Sequence, residues 1–396
     1  MPHRIIVLGA GYAGGYAAGQ LARRLHPDDV EVTVVNAEPD FVERMRLHQL
    51  AAGRELRRHG LAELFAGTGI RLRLARVTAV DAERRAVTVT DGAGVDRLDY
   101  DTLLYALGST VADHGVPGVA EHAFHVAGRP SALRLRRRLD ELAGAGSVLV
   151  VGGNLTAIEV ATEIAESRPG LDVTLATSGE LGGWLGPKAR RHLLRAFDRF
   201  GVAVHEHTTV DRVGATGATT AGGAALASDA TVWAAGFAVH PIAAASGLAV
   251  TDDGRVRVDP LMRSVSHPDV YAAGDSVLAT GENGRPLPMS CASAGATAMR
   301  AVAGIVGDLT GREVSKSRLS HVGNHISLGR EDAIFQLVDG EARSRTWALR
   351  GRGAARVKAV ILRAAVFGMG HPTFGMPTRR RRLALPPDRA TAVAAA

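Results

Sequence analysis

Ile5-Ile6-Val7-Leu8-Gly9-Ala10-Gly11-Tyr12-Ala13-Gly14 and Val148-Leu149-Val150-Val151-Gly152-Gly153-Asn154-Leu155-Thr156-Ala157 follow one plan. Each opens with four apolar residues that read as a strand buried on both faces of a parallel sheet. A glycine-rich turn follows, then an alanine-rich stretch with helical spacing. A single loop of this kind is weak evidence. Two of them in one chain predict two dinucleotide sites and an α/β fold.

The loops have a mechanical reading. Gly9 allows the sharp turn out of the strand, Gly11 allows a pyrophosphate to approach the backbone, and Gly14 allows the helix to pack closely. The free amides at the positive helix end then face the diphosphate. A helix is expected over about 12–25 and a strand over 30–35, which makes a βαβ unit of roughly 30 residues. That strand ends at Asn36-Ala37, where an acid usually meets the ribose. Asn36 offers uncharged hydrogen bonds instead. Segments 71–80 and 86–90 read as an inserted antiparallel sheet, with turn chemistry at Asp91-Gly92-Ala93-Gly94. Residues 103–106 read as a buried strand, and the loop 115–118 with Pro117 as a change of domain.

The second half repeats the pattern. A basic helix spans 131–142, and the second unit runs from Val148 to Leu175. A helix is expected over 190–200, with strands over 202–205 and 230–234. The low-complexity stretch 214–227 reads as a weak hairpin. Val270 to Asp275 is a strand running into Gly-Asp, and a helix follows over 291–309. Strands at 324–328 and 333–338, a helix at 354–367 and a Pro/Arg tail complete the chain. The fold class is α/β, with two Rossmann-like dinucleotide-binding domains and a small α+β C-terminal domain. The first domain is discontinuous, 1–114 and 250–314; the second is 115–249; the third is 315–396.

The 396 residues suffice for several cores, and 46% hydrophobic with 22% charged residues is a globular composition. One cysteine, Cys291, excludes a disulfide framework and a Cys-x-x-Cys redox pair, so redox chemistry belongs to a bound cofactor. No apolar stretch reaches the about 18 residues of a membrane span, and the N-terminal apolar run ends in the phosphate loop rather than a cleavage site. The expected location is cytoplasmic, with a peripheral position on the inner membrane face as the alternative. The net charge of +7 is uneven: from Glu341 onward twelve basic residues face two acids, a basic tail on a nearly neutral remainder. GC-rich codon usage and attraction to an anionic surface explain this equally well.

The order of motifs resembles the two-dinucleotide flavoprotein reductases: pyridine nucleotide-disulfide oxidoreductases, ferredoxin reductases, apoptosis-inducing-factor-like proteins and type II NADH dehydrogenases. The motifs are the two loops, Thr102-Leu103-Leu104-Tyr105-Ala106-Leu107-Gly108, Val232-Trp233-Ala234-Ala235-Gly236 and Tyr271-Ala272-Ala273-Gly274-Asp275. The resemblance implies FAD at the first loop and NADH or NADPH at the second. Gly9, Gly11, Tyr12, Ala13, Gly14, Asn36, Ala37, Ala106, Leu107 and Gly108 would meet FAD. So would Gly274, Asp275 near the ribityl and phosphate region, Val77 near adenine, and Ala292 at the N-terminus of the helix that faces the flavin pyrimidine. Without Cys-x-x-Cys, the segment Phe41-Val42-Glu43-Arg44-Met45-Arg46-Leu47-His48-Gln49-Leu50 looks like the type II NADH dehydrogenase branch. Arg46 and His48 are its polar candidates beside the flavin.

The second loop is altered. Asn154 takes the place of the middle glycine, either crowding the pyrophosphate or bonding it. Gly152, Gly153, Leu155, Thr156, Ala235 and Gly236 complete the expected NAD(P) site. The strand ends Thr177-Ser178, whose small hydroxyls tolerate a 2′-phosphate. Glu159 matches a family glutamate at the nicotinamide–flavin junction, with a positioning or proton-handling role. No metal site is expected: His205/His207 and His321/His325 lack further ligands. Cys291 reads as a small buried residue. Three uses fit Val357, Val360-Ile361, Ala364-Ala365 and Phe367, with Arg356, Lys358 and Arg363 around them: an interfacial membrane helix, a docking helix, or a homodimer contact. Arg379 to Arg382 reads as a solvated tail, and no aromatic-basic platform accompanies it, so nucleic acid is not an expected partner.

The expected function is hydride transfer from NAD(P)H to FAD and on to a quinone-like small-molecule acceptor. The alternatives are a soluble flavoenzyme acting on a specialised metabolite and an apoptosis-inducing-factor-like flavoprotein with slow turnover.

Overall fold

The computed structural model describes residues 1–282, 284–314, 319, 323–339, 343–376 and 379–384. The first apolar run forms β1 (His3–Leu8), followed by α1 (Gly14–Arg24), β2 (Val30–Asn36), a 3-10 turn (Arg44–Arg46) and α2 (Leu47–Ala51). Next come β3 (Arg71–Leu74), β4 (Arg76–Asp81), β5 (Ala86–Asp91), β6 (Gly94–Asp99) and β7 (Thr102–Tyr105). The second unit contains α3 (Arg129–Glu141), β8 (Gly146–Val151), α4 (Leu155–Ser167), β9 (Leu171–Ala176), α5 (Pro187–Phe200) and β10 (Ala203–His205). It continues through β11 (Val210–Gly214), β12 (Gly217–Thr220), β13 (Ala225–Ala227) and β14 (Ala230–Trp233). The rest comprises β15 (Val270–Ala272), α6 (Cys291–Thr310), β16 (Gly323–Ser327), β17 (Ala333–Val338), β18 (Ser344–Arg350) and α7 (Arg352–Gly370).

Two parallel sheets carry the molecule. One has the order β15-β7-β1-β2-β3, the other β10-β9-β8-β14. Ile5, Val7 and Leu8 are fully buried, as is Val150, as strands covered on both faces require. β15 enters the first sheet from far along the chain, beside β7.

Several expectations change. Residues 71–80 are not one strand of an antiparallel insert. Residues 71–74 form the parallel edge strand β3, paired with β2, and only β4 belongs to the antiparallel sheet with β5 and β6. The break falls at Ala75, whose amide is held by the Asn36 carbonyl at 2.9 Å. The stretch 214–227 is part of a three-stranded sheet that begins at Val210. A third C-terminal strand, β18, pairs antiparallel with β17.

Within the segment read as a solvated tail, Arg379 and Arg380 are exposed, but Arg381 and Arg382 are docked. His26 donates its amide to the Arg381 carbonyl at 2.8 Å, and Arg382 reaches Asp29 at 2.8 Å and Asp28 at 3.0 Å. The end of α7 docks on α1, where Gly15 and Gly19 lie one turn apart. A side chain at Gly15 would collide with Met369, and one at Gly19 would come within 2.5 Å of Pro372. These two helical glycines form a groove for the C-terminal segment.

Candidate active site

One cavity of about 530 Å³ joins the two glycine loops. Its wall includes Gly9, Gly11, Tyr12, Ala13, Ala106, Leu107, Gly108, Gly274 and Asp275 from the first unit. From the second unit come Asn154, Leu155, Thr156, Glu159 and Gly236, and from the start of α6 comes Ala292. The C-terminal part adds Asn324, His325, Lys358, Ile361 and Leu362. Gly14, Ala37, Val77, Gly152, Gly153, Thr177 and Ala235 lie outside this wall.

The first loop fits a dinucleotide pyrophosphate. A Cβ at Gly9 would come within 2.5 Å of the Ala106 carbonyl oxygen, and one at Gly14 would collide with the Gly9 carbonyl. A Cβ at Gly11 would meet nothing within 4 Å. Gly9 and Gly14 therefore hold the turn, while Gly11 leaves open space next to the first amides of α1, which helix geometry leaves without acceptors. Across the cavity, the Ser290 side chain caps α6 by accepting from the Ser293 amide at 3.2 Å. The positive end of this 20-residue helix favours negative charge in the cavity by about 0.3–1 kcal/mol.

Both loop asparagines serve the fold. Asn36 Oδ1 accepts from the Ala10 amide at 2.9 Å, and its Nδ2 donates to the Glu38 carbonyl at 2.7 Å. It pins the first loop to the end of β2, and it also lines the cavity. Asn154 lines the cavity, and its side chain is tied down on both sides. Its Oδ1 caps α4 through the Ala157 amide at 3.1 Å, and its Nδ2 donates to the Ala234 carbonyl at 2.9 Å. Thr177 is buried beneath the loop, where a Cβ on Gly153 would collide with it. It is thus not presented to a 2′-phosphate. Past the end of β9, Arg190 lies between Glu180 and Glu206, 3.3 Å from each.

In the segment 41–50, Arg44 rather than Arg46 reaches the cavity. A 3-10 turn advances about 120° per residue, so residues two apart point away from each other. Arg44 hydrogen-bonds Ser109 Oγ at 3.3 Å and lies 3.8 Å from Asp275. Burial pushes its guanidinium below the ordinary arginine value, and Asp275 opposes this. Arg46 instead pairs with Glu43 at 3.2 Å in a neighbouring cleft. Asp275 also accepts from Ser109 Oγ at 2.6 Å, and the Gly274 amide is held by Thr297 Oγ1 at 2.9 Å.

Glu159 is the most constrained charge in the cavity. Its carboxylate is paired with Lys358 of α7, accepts from the Ser327 amide at 3.0 Å, and lies 3.8 Å from His48 Nδ1. Burial alone would raise its pKa, but Lys358 and then His48 hold it below the usual carboxylate range. Burial pushes the His48 imidazole down to about 4, with Glu159 opposing, so it is neutral at pH 7. Lys358 does not join the outer polar face of its helix; it is buried. Cys291 lies against the Met45 sulfur, and burial pushes its thiol up to about 11, so it stays protonated and is not a nucleophile. Among the described residues no three His, Cys, Asp or Glu side chains gather as a metal site; His321 lies outside them.

A family model described as pyridine nucleotide-disulphide oxidoreductase matches residues 3–298. An NADH dehydrogenase-like protein of Mycobacterium tuberculosis is 30% identical over 357 residues, covering 84% of this chain and 87% of that protein. A demethylphylloquinone reductase of Synechocystis is 25% identical over 349 residues, covering 84% of this chain and 86% of the relative. The solved structure of NDH2 from Plasmodium falciparum in complex with NADH superposes with a TM-score of 0.77 at 16% identity, over 95% of this chain and 99% of that one.

Proposed function

Because the chain belongs to the pyridine nucleotide-disulphide oxidoreductase family, we propose that it is an FAD-dependent dehydrogenase that takes electrons from NADH and passes them to a quinone-like acceptor. The observation that carries this reading is the single cavity lined by both glycine loops, which brings a nicotinamide and a flavin into one space. When bound, FAD would supply the two-electron chemistry that links hydride uptake from a nicotinamide to reduction of the acceptor. The chain's own residues supply position and field. The first loop and α1 hold the pyrophosphate, and Asp275, with Arg44 beside it, stands toward the ribityl region. The N-terminus of α6 favours the negative charge that builds up on reduction. Glu159, neutralised by Lys358, orders the junction between the two nucleotides without an uncompensated charge.

Three further observations refine the reading. Ile361 and Leu362 turn an apolar surface of α7 into the cavity, as a quinone-like ring requires, and the relative in Synechocystis is named as a quinone reductase. Arg190, just past the end of β9, is engaged by two carboxylates rather than free for a 2′-phosphate, which favours NADH over NADPH. On the outer side of α7, Val360 and Phe367 are exposed next to Phe374, with Arg356 and Arg363 on the same helix. This pattern suits a peripheral contact with an anionic membrane surface. Among the described residues no helix is long and apolar enough to cross a membrane.

The test is anaerobic mixing of the yellow protein with NADH or NADPH, followed by menadione. NADH should bleach the flavin absorbance faster than NADPH, and menadione should restore it. A flavin that neither nucleotide bleaches would overturn the assignment.

A further inference from the structure

A second concavity, of about 450 Å³, lies on the far side of Lys358 from the first. The loop after α2, the turn after β16 and the face of α7 enclose it. Arg54, Arg57 and Arg363 all line it, all three are exposed, and none has an ion-pair partner among the described residues. Several surface arginines elsewhere pair with acids, such as Arg4 with Asp101 at 3.1 Å, Arg136 with Glu55 at 2.6 Å and Arg382 with Asp29 at 2.8 Å, whereas here three unpaired ones share one hollow. The acids that line this cleft are already engaged. Glu43 is taken by Arg46 at 3.2 Å, and Asp332 by His192 at 2.7 Å and Arg199 at 3.0 Å. Three like charges facing one hollow repel one another and leave a focused positive field. Guanidinium forks match phosphate oxygens in pairs. Leu362, Val366 and Phe367 of α7 give the same hollow one apolar side.

We propose that this cleft binds a phosphate-bearing ligand with an apolar body, held by Arg54, Arg57 and Arg363 and separate from both nucleotide loops. The hollow has the size of a small-molecule site. Lys358 lines both cavities, so an anion here competes with Glu159 for the same ammonium group. Occupancy of the second cleft thereby reaches the first. The phosphate can come from a free metabolite or from a lipid headgroup.

The experiment uses the FAD-loaded protein saturated with NAD⁺, so that both pyrophosphate sites are filled. Binding of inorganic pyrophosphate is measured by calorimetry, and binding to phosphatidylcholine vesicles with and without phosphatidylglycerol by sedimentation. The variant is Arg54→Gln/Arg57→Gln/Arg363→Gln, with Arg137→Gln as an exposed control. Pyrophosphate binding that falls about tenfold or more in the triple variant, but not in the control, supports the site and a free-phosphate source. Loss confined to phosphatidylglycerol vesicles supports the site and a headgroup source. If neither probe binds, or the triple variant binds both as the parent does, the proposal is overturned. An unchanged flavin spectrum shows that the variant is folded.

Discussion

Replacing Lys358 with Met tests the electrostatic core of the site. The two side chains of the Lys358–Glu159 pair are only 10% and 12% exposed. Without the ammonium, the carboxylate keeps the Ser327 amide and a neutral imidazole. Breaking a buried pair from one side costs about 3–5 kcal/mol, because the remaining charge is uncompensated. The loss depends on pH. In the parent, Glu159 is held below its ordinary 4.5, so its stabilisation is present above that value and fades as pH falls through the lower folded pKa. In Lys358→Met, burial is opposed only weakly and the carboxyl pKa climbs. The gap between parent and variant should therefore be widest near pH 8 and narrow toward pH 5. Urea unfolding, followed by flavin release and tryptophan fluorescence at both pH values, measures it. The double variant Lys358→Met/Glu159→Gln should recover most of the loss, since no charge is left buried. A single variant as stable as the parent at pH 8, or a double variant no better than the single, would refute the reasoning.

Gly14→Ala places a methyl group on the Gly9 carbonyl; the purified protein should be colourless or lose FAD readily, as its absorbance near the flavin bands would show. Asn154→Ala should lower stability by about 1 kcal/mol through loss of the α4 cap. Asn154→Gly restores the motif glycine but should not tighten NADH binding in a titration, because the asparagine side chain is turned into the fold; a tenfold gain would contradict this. His48, held near 4 against an ordinary 6.5, contributes stability present above pH 6.5 and lost as pH falls toward 4, about 3 kcal/mol in full. His48→Gln should flatten that part of the pH–stability curve, and an unchanged slope counts against the assignment.

The strands and loops were legible because buried parallel strands and glycine turns leave local signatures. Ile5 to Gly14 needs no distant residue to be read. The uses of Asn36 and Asn154 were not legible, since a side-chain amide serves a backbone and a ligand with the same atoms. Choosing Arg44 over Arg46 required the phase of one 3-10 turn. The partner of Glu159 is 199 residues away, on a helix whose spacing suited three different uses. β18 left no alternating pattern, because most of its residues are solvent-facing, Trp347 among them at 57%. The break at Ala75 came from a switch of sheets rather than a turn, and no Gly or Pro marks it.

The groove at Gly15 and Gly19 also sets a timetable. Its filling residues, Met369 and Pro372, leave the ribosome some 350 residues after it, roughly 20–70 s at ordinary synthesis rates. The first sheet waits about 165 residues, roughly half as long, for β15 to cover the open edge of β7. During that interval α1 can form but not be covered, and an unpaired strand edge stands beside it. The half of the protein made first is thus completed last, and the nascent chain offers a chaperone a defined surface for most of its synthesis.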